Sequence, residues 1–170
     1  HPMGILSSMV SALRAFYPEL PANRGDEDIN ITFARLLSKI RTMAAMSYKI
    51  SLGHKVVYPR HDLTYCENFM NMMFDSPVRP YEIDPTVVDA VRKFSILNAH
   101  HEQNCSTSAV RLVGSARVTL FAAISAGIAA LWGPLHGGAN QAVIEMLTEI
   151  SRTGGKIKPF IERAKDKKDP

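Results

Sequence analysis

Met3, Leu6, Met9, Val10, Leu13 and Phe16 recur at three- and four-residue spacing, the period of a helix with one buried face. A polar break with two prolines, PELPANRGDED at positions 18–28, ends that pattern. Ile31, Phe33, Leu36, Leu37, Ile40 and Met43 then outline a second helix. Positions 51–66, SLGHKVVYPRHDLTYC, mix short β-branched pairs with turn residues and read as a loop rather than a sheet. ENFMNMMF predicts a short helix whose methionines pack a core. Asp84-Pro85 offers an N-cap followed by a first-turn proline, and the helix it opens carries Val87, Val88, Val91, Phe94 and Leu97 on one side. Residues 121–131, rich in Ala, Ser and Gly, predict a buried helix in close backbone contact with its neighbours. Val143, Ile144, Met146, Leu147 and Ile150 predict one more, across 139–150. No stretch alternates as a strand does, so the expected fold class is mainly α, a multi-helix architecture.

Composition narrows the function more than the fold. With 46% hydrophobic and 21% charged residues, the 170-residue chain can bury a core as one domain or part of a larger one. Much of its net charge of +4 sits in KIKPFIERAKDKKDP, which reads as a solvated helix face and linker. No aromatic or arginine-rich stripe accompanies that charge, so no nucleic acid is expected as a partner. The longest apolar stretch, positions 120–132, is too short to span a bilayer, and HPMGILSS lacks the basic start of a signal peptide. Cys66 and Cys105 have no CxxC partner and are expected to be reduced thiols, which points to the cytoplasm.

Phosphate-loop and dinucleotide fingerprints are missing. HEQNC starts like a zinc HExxH, but Cys105 stands where the second histidine belongs, and His100 and His101 are neighbours that cannot share a helix face. No metal is expected. Two polar stretches remain, AHHEQNCSTSAVRLVGS and, 35 residues after His101, GPLHGGAN around His136. Pattern alone leaves two readings open. The first stretch can cap a helix and His136 can be a turn residue, or both can belong to a site.

GPLHGGAN and HHEQNCSTSAVRLVGS resemble bacterial-type citrate synthase, as do RLLSKIRTMAAMSYK, VVYPRHDLTYCENFMNMMF and FIERAKDKKDP. The resemblance runs in register over essentially the whole chain. It implies condensation of acetyl-CoA with oxaloacetate and hydrolysis of citryl-CoA, with acetyl-CoA as substrate and no cofactor. His136 matches the donor that stabilises charge on the thioester oxygen while a carboxylate removes a methyl proton. Its place before a helix suits a neutral imidazole, and Gly137 and Gly138 let backbone approach substrate. His101 matches the residue that polarises the oxaloacetate keto group, Asn104 belongs to the same turn, and Ser106 matches a serine that orients the catalytic histidine.

The resemblance further implies that residues 1–136 belong to a large helical domain and 137–170 to the hinge and start of a small one. The chain would then be an internal part of an enzyme more than twice its length. It lacks the catalytic aspartate, the arginines for the oxaloacetate carboxylates and a GHRVYK-type segment, so alone it is expected to be inactive. Self-association as a homodimer or hexamer is implied. Gram-negative members are hexamers inhibited by NADH, and part of that site is similar to Tyr17, Arg35 and Lys39; Arg35 and Lys39, four apart on one helix, also read as two solvated basic residues on an exposed face. Val78, Asp89 and Asn98 differ from that site, which implies weak or absent NADH inhibition. One segment departs from the family: ARVTLF at 116–121 stands where relatives run roughly SGANPF, with Arg117 in place of glycine. Two rival functions share these residues: a 2-methylcitrate synthase using propionyl-CoA, and a non-catalytic helical interaction module.

Overall fold

A computed structural model describes residues 1–17, 26–100 and 102–166. The chain divides into two compact units, His1–Leu131 and Trp132–Pro170. The first holds α1 (Pro2–Ala12), a 3-10 turn (Leu13–Phe16), α2 (Asp26–Ser51), α3 (Tyr65–Phe74), α4 (Pro85–Leu97), α5 (Cys105–Ser115) and α6 (Leu120–Leu131). The second holds α7 (Gly137–Arg152) and α8 (Lys158–Lys165). Among the described residues there is no strand, and the fold is mainly α.

The first unit is built on the apolar periodicity of α1, α2 and α6. Val10, Leu13, Leu36, Met43 and Phe121 form its core, flanked by Leu6, Met9, Ile40, Ile124 and Ile128. Burying side chains of this size contributes about 1.5–3 kcal/mol each. α6 packs on α5 and α1, and α2 packs on α1 and α3. The small residues of α6 allow close approach: a Cβ on Gly127 would lie 2.6 Å from Val110 Cγ2 of α5. In α3, Met70 and Met72 are buried, the core role their spacing predicts. α4 begins as its sequence predicts, with Asp84 Oδ1 accepting from the Thr86 N–H at 2.7 Å and Pro85 in the first turn. Among the described residues its apolar side is covered only in part: Val88 and Val91 are half-buried, whereas Phe94 and Leu97 are 65% and 78% exposed.

α2 is longer than the predicted Ile31–Met43 core. It stops where Gly53 takes a left-handed φ of +69° and the His54 N–H bonds back to the Lys49 carbonyl at 2.8 Å. Lys49 itself is only 2% exposed, and its ammonium donates to the Asp75 carbonyl just past α3. The 52–64 connection has no helix or strand, as expected from its turn residues. The buried Asn68 amide holds it, accepting from the Arg60 N–H at 2.8 Å and donating to the Arg60 and Leu63 carbonyls at 2.7 and 3.0 Å.

Candidate active site

Asn104 is the N-cap of α5. Its Oδ1 accepts from the Thr107 N–H at 2.9 Å, satisfying one of the free donors of the first turn. Ser106 sits on that turn, partly buried, with its carbonyl and Cβ close to the Gly127 position on α6. The polar-cap reading of HHEQNCSTS therefore holds for Asn104, and the cap places both sequence-predicted residues at one helix end. His101 lies outside the described residues. On either side of it, His100 Nδ1 accepts from the Glu102 N–H at 2.9 Å, and Glu102 carries a φ of +52°.

His136 belongs to the second unit, where it is the N-cap residue of α7. The GPLHGG turn is closed by its backbone: the His136 and Gly138 N–H groups donate to the Gly133 carbonyl at 3.0 and 3.2 Å. The imidazole does not cap the helix it precedes. Helix α7 starts at Gly137, two residues before the predicted start. A Cβ on Gly138 would meet Pro134 Cβ at 3.6 Å and the Gly133 carbonyl at 3.7 Å, ordinary contacts. Packing within the described residues of this unit therefore does not require glycine there. α7 and α8 flank a groove of about 430 Å³, lined by Ala142, Met146, Phe160 and Arg163 among others, with Glu145 and Glu149 on its α7 side.

Two of the three residues similar to a nucleotide site meet. The Arg35 guanidinium lies over the Tyr17 ring, 5.3 Å from its centroid, and that ring stacks on Phe121 at 5.9 Å. Lys39 lies one helical turn beyond Arg35 and is exposed. Among the described residues, no cluster of three or more His, Cys, Asp or Glu could hold a metal ion, and no helix is long and apolar enough to cross a membrane.

Sequence reading passed over one local device. Thr64 and Glu67 form a capping box at the start of α3, with the Thr64 N–H and hydroxyl donating to Glu67 Oε2 at 2.8 and 2.6 Å. Its signal, Thr-x-x-Glu before an apolar run, was present. These bonds hold the Glu67 carboxyl below its ordinary range. The Arg60 guanidinium does the same to Asp62.

The family model for the citrate synthase C-terminal domain matches residues 1–170. The chain belongs to the citrate synthase family. It is 50% identical over 167 residues to citrate synthase 1 of Mycobacterium tuberculosis, covering 98% of this chain and 39% of that protein. It therefore spans about two fifths of the length of the curated relatives it matches. Among solved structures, the citrate synthase of Pyrobaculum aerophilum matches with a TM-score of 0.75 at 32% identity, over all of this chain and 43% of that one. The Thermoplasma acidophilum citrate synthase, solved as a ternary complex with carboxymethyl coenzyme A and oxaloacetate, matches with a TM-score of 0.70 at 28% identity, over 88% of this chain and 37% of that one. The mainly α fold is thus the citrate synthase fold.

Proposed function

We propose that the protein containing these residues is a citrate synthase that condenses acetyl-CoA with oxaloacetate and hydrolyses citryl-CoA, an acyltransferase that needs no cofactor. The observation that carries this reading is His136 at the mouth of α7 within GPLHGGAN, in a chain that belongs to the family over its whole length. A methyl proton of a thioester is too weakly acidic for a carboxylate base unless a donor stabilises the enolate oxygen as it forms. His136 supplies that donor. A helix N-terminus beside the reacting oxygen adds favourable potential for the developing negative charge.

His101 polarises the keto group of oxaloacetate, and Asn104 binds the same substrate from the start of α5. Ser106 orients His136 through a hydrogen bond. Residues 1–136 belong to the large domain and 137–170 open the small one; the break in compactness lies five residues earlier, between Leu131 and Trp132. The proton-abstracting carboxylate and the groups that hold the oxaloacetate carboxylates come from the rest of the protein, so these 170 residues alone do not turn over.

The test is oxaloacetate-dependent release of CoA by the complete protein, with acetyl-CoA and propionyl-CoA compared. A kcat/KM favouring acetyl-CoA supports the reading. Preference for propionyl-CoA transfers the same residues to a 2-methylcitrate synthase, and release with neither acyl-CoA sinks both.

A further inference from the structure

We propose that His100 is a positioning residue for the turn at the start of α5, holding Glu102 and, through it, Asn104 in their binding geometry. This rests on the reading of that turn as the oxaloacetate site. His100 Nδ1 accepts the Glu102 N–H at 2.9 Å, two residues on in the chain. Asparagine and aspartate make this bond with a side-chain oxygen, closing a local turn. Here an imidazole nitrogen takes the oxygen's place. A ring nitrogen that accepts a hydrogen bond carries no proton, so the clamp requires the tautomer protonated on Nε2.

The clamp has a strained residue to hold. Glu102 has a φ of +52°, a left-handed conformation that costs a non-glycine residue about 1–3 kcal/mol and persists only where its surroundings impose it. Burial does not impose it, since His100, Glu102 and Gln103 are all exposed. Hydrogen bonds do. The Glu102 carbonyl accepts the Asn104 N–H at 3.2 Å, and Asn104 Oδ1 in turn caps Thr107 at 2.9 Å. Gln103 braces the other side of the turn, accepting from Arg111 Nη1 at 2.8 Å and donating to Ser108 Oγ at 3.3 Å. A continuous chain of bonds thus runs from the His100 ring to the first turn of α5. Releasing His100 frees Glu102 to relax toward ordinary φ values, which turns the Asn104 backbone with it.

His100→Leu, His100→Asn and Asn104→Asp are made in the complete protein, and KM is measured for oxaloacetate and acetyl-CoA separately, with a thermal melt for each variant. His100→Leu should raise the oxaloacetate KM about tenfold, the loss of roughly one hydrogen bond's worth of orientation, with acetyl-CoA KM and melting temperature unchanged. His100→Asn, whose Oδ1 can take the same N–H, should restore it. The assignment is overturned if His100→Leu leaves the oxaloacetate KM alone, if both KM values rise together with a lower melt, or if His100→Asn is no better than His100→Leu. Asn104→Asp keeps the cap oxygen but removes the amide donor and sets a negative charge toward a dicarboxylate. An unchanged oxaloacetate KM in Asn104→Asp overturns the reading of the turn itself. A raised KM there, beside a silent His100→Leu, overturns only the role of His100.

Discussion

Ser7 and Ser125 exchange hydrogen bonds where α1 meets α6: Ser7 Oγ donates to the Ser125 carbonyl at 3.0 Å, and Ser125 Oγ donates to the Ser7 carbonyl at 2.8 Å. The two hydroxyl oxygens are themselves 3.0 Å apart. Mid-helix serines commonly bond back to their own helix; these two tie one helix to another. Either Ser→Ala change should lower stability by about 1 kcal/mol. The double variant should lose less than the sum, because the first change already loosens the geometry the second needs. Urea unfolding of the four proteins measures this, and strict additivity would show that the two hydroxyls act independently.

The α5–α6 contact makes a sharper forecast. Since a Cβ at position 127 would fall 2.6 Å from Val110 Cγ2, Gly127→Ala must push apart two backbones or force a stiff β-branched side chain off its rotamer. The expected loss is about 1–3 kcal/mol, despite alanine's better helix propensity. Val110→Ala in the same chain should recover part of it. A fully stable Gly127→Ala single variant would mean that the helices separate more easily than their packing indicates.

Gly138 should behave in the opposite way. Its Cβ site is open to an alanine, and it sits in the first turn of α7, where alanine favours the helix. Gly138→Ala should therefore leave the melt unchanged or slightly raised, while, on the proposed function, kcat/KM of the complete protein falls because the methyl group crowds the approach of substrate to the turn. His136→Ala should lower kcat about 10²–10³-fold with a smaller effect on oxaloacetate KM, since an enolate donor acts mainly in the transition state. Parallel melts and kinetics on both variants decide. Full activity in His136→Ala would falsify its role as donor.

Arg117 follows α5 with a φ of +56°, the left-handed region where glycine is at ease and arginine is not. Arg117→Gly should raise stability by up to about 1 kcal/mol, the strain relieved less the extra freedom of glycine in the unfolded chain. The urea midpoint reports it, and a drop instead would mean that the arginine side chain makes interactions worth more than its backbone strain.

Acid should weaken the start of α3. The folded carboxyl of Glu67 is held below its ordinary value by the Thr64 hydroxyl and N–H. Its contribution is therefore complete above the unfolded glutamate value, about 4.3, and is lost as pH falls through the lower folded value. Glu67→Gln should be less stable than the parent near neutrality, and the gap should close below about pH 4. Asp62 and Asp89, lowered by Arg60 and Arg92, change stability in the same direction, so it is the difference between parent and variant that isolates Glu67. A gap that is independent of pH would remove the capping carboxylate as its source.

The helices were legible wherever an apolar period coincided with punctuation. Asp84-Pro85 opens α4 as read, and the α6 stripe of small residues does lie against α5 and α1. Boundaries were less legible. α2 runs on to Ser51, beyond the periodic core, through a polar-looking SYKIS in which Ser47 and Lys49 are nonetheless buried. Periodicity could not show this, since it registers a lysine as surface whatever its ammonium meets. α4 shows the converse. Its apolar side was clear, but a pattern says only that a face wants cover, and within this chain Phe94 and Leu97 stay exposed. At the candidate site, motif resemblance pointed to His101, Asn104, Ser106 and His136, whereas the His100–Glu102 hydrogen bond went unread because an imidazole turn has no common sequence signature. The glycine-to-arginine departure at position 117 was the one flag of strain, and a left-handed residue stands there.

The burial of Lys49 gives this unit a built-in chemical reporter. Amine-directed acylating reagents need a deprotonated, solvent-accessible nitrogen, and the side chains of Lys93 and Lys165 stand 67% and 70% open to them. Lys49, sealed against the Asp75 carbonyl, can be labelled only when the end of α2 parts from the segment after α3. Its labelling rate therefore follows that local opening rather than the chemistry of an amine in water.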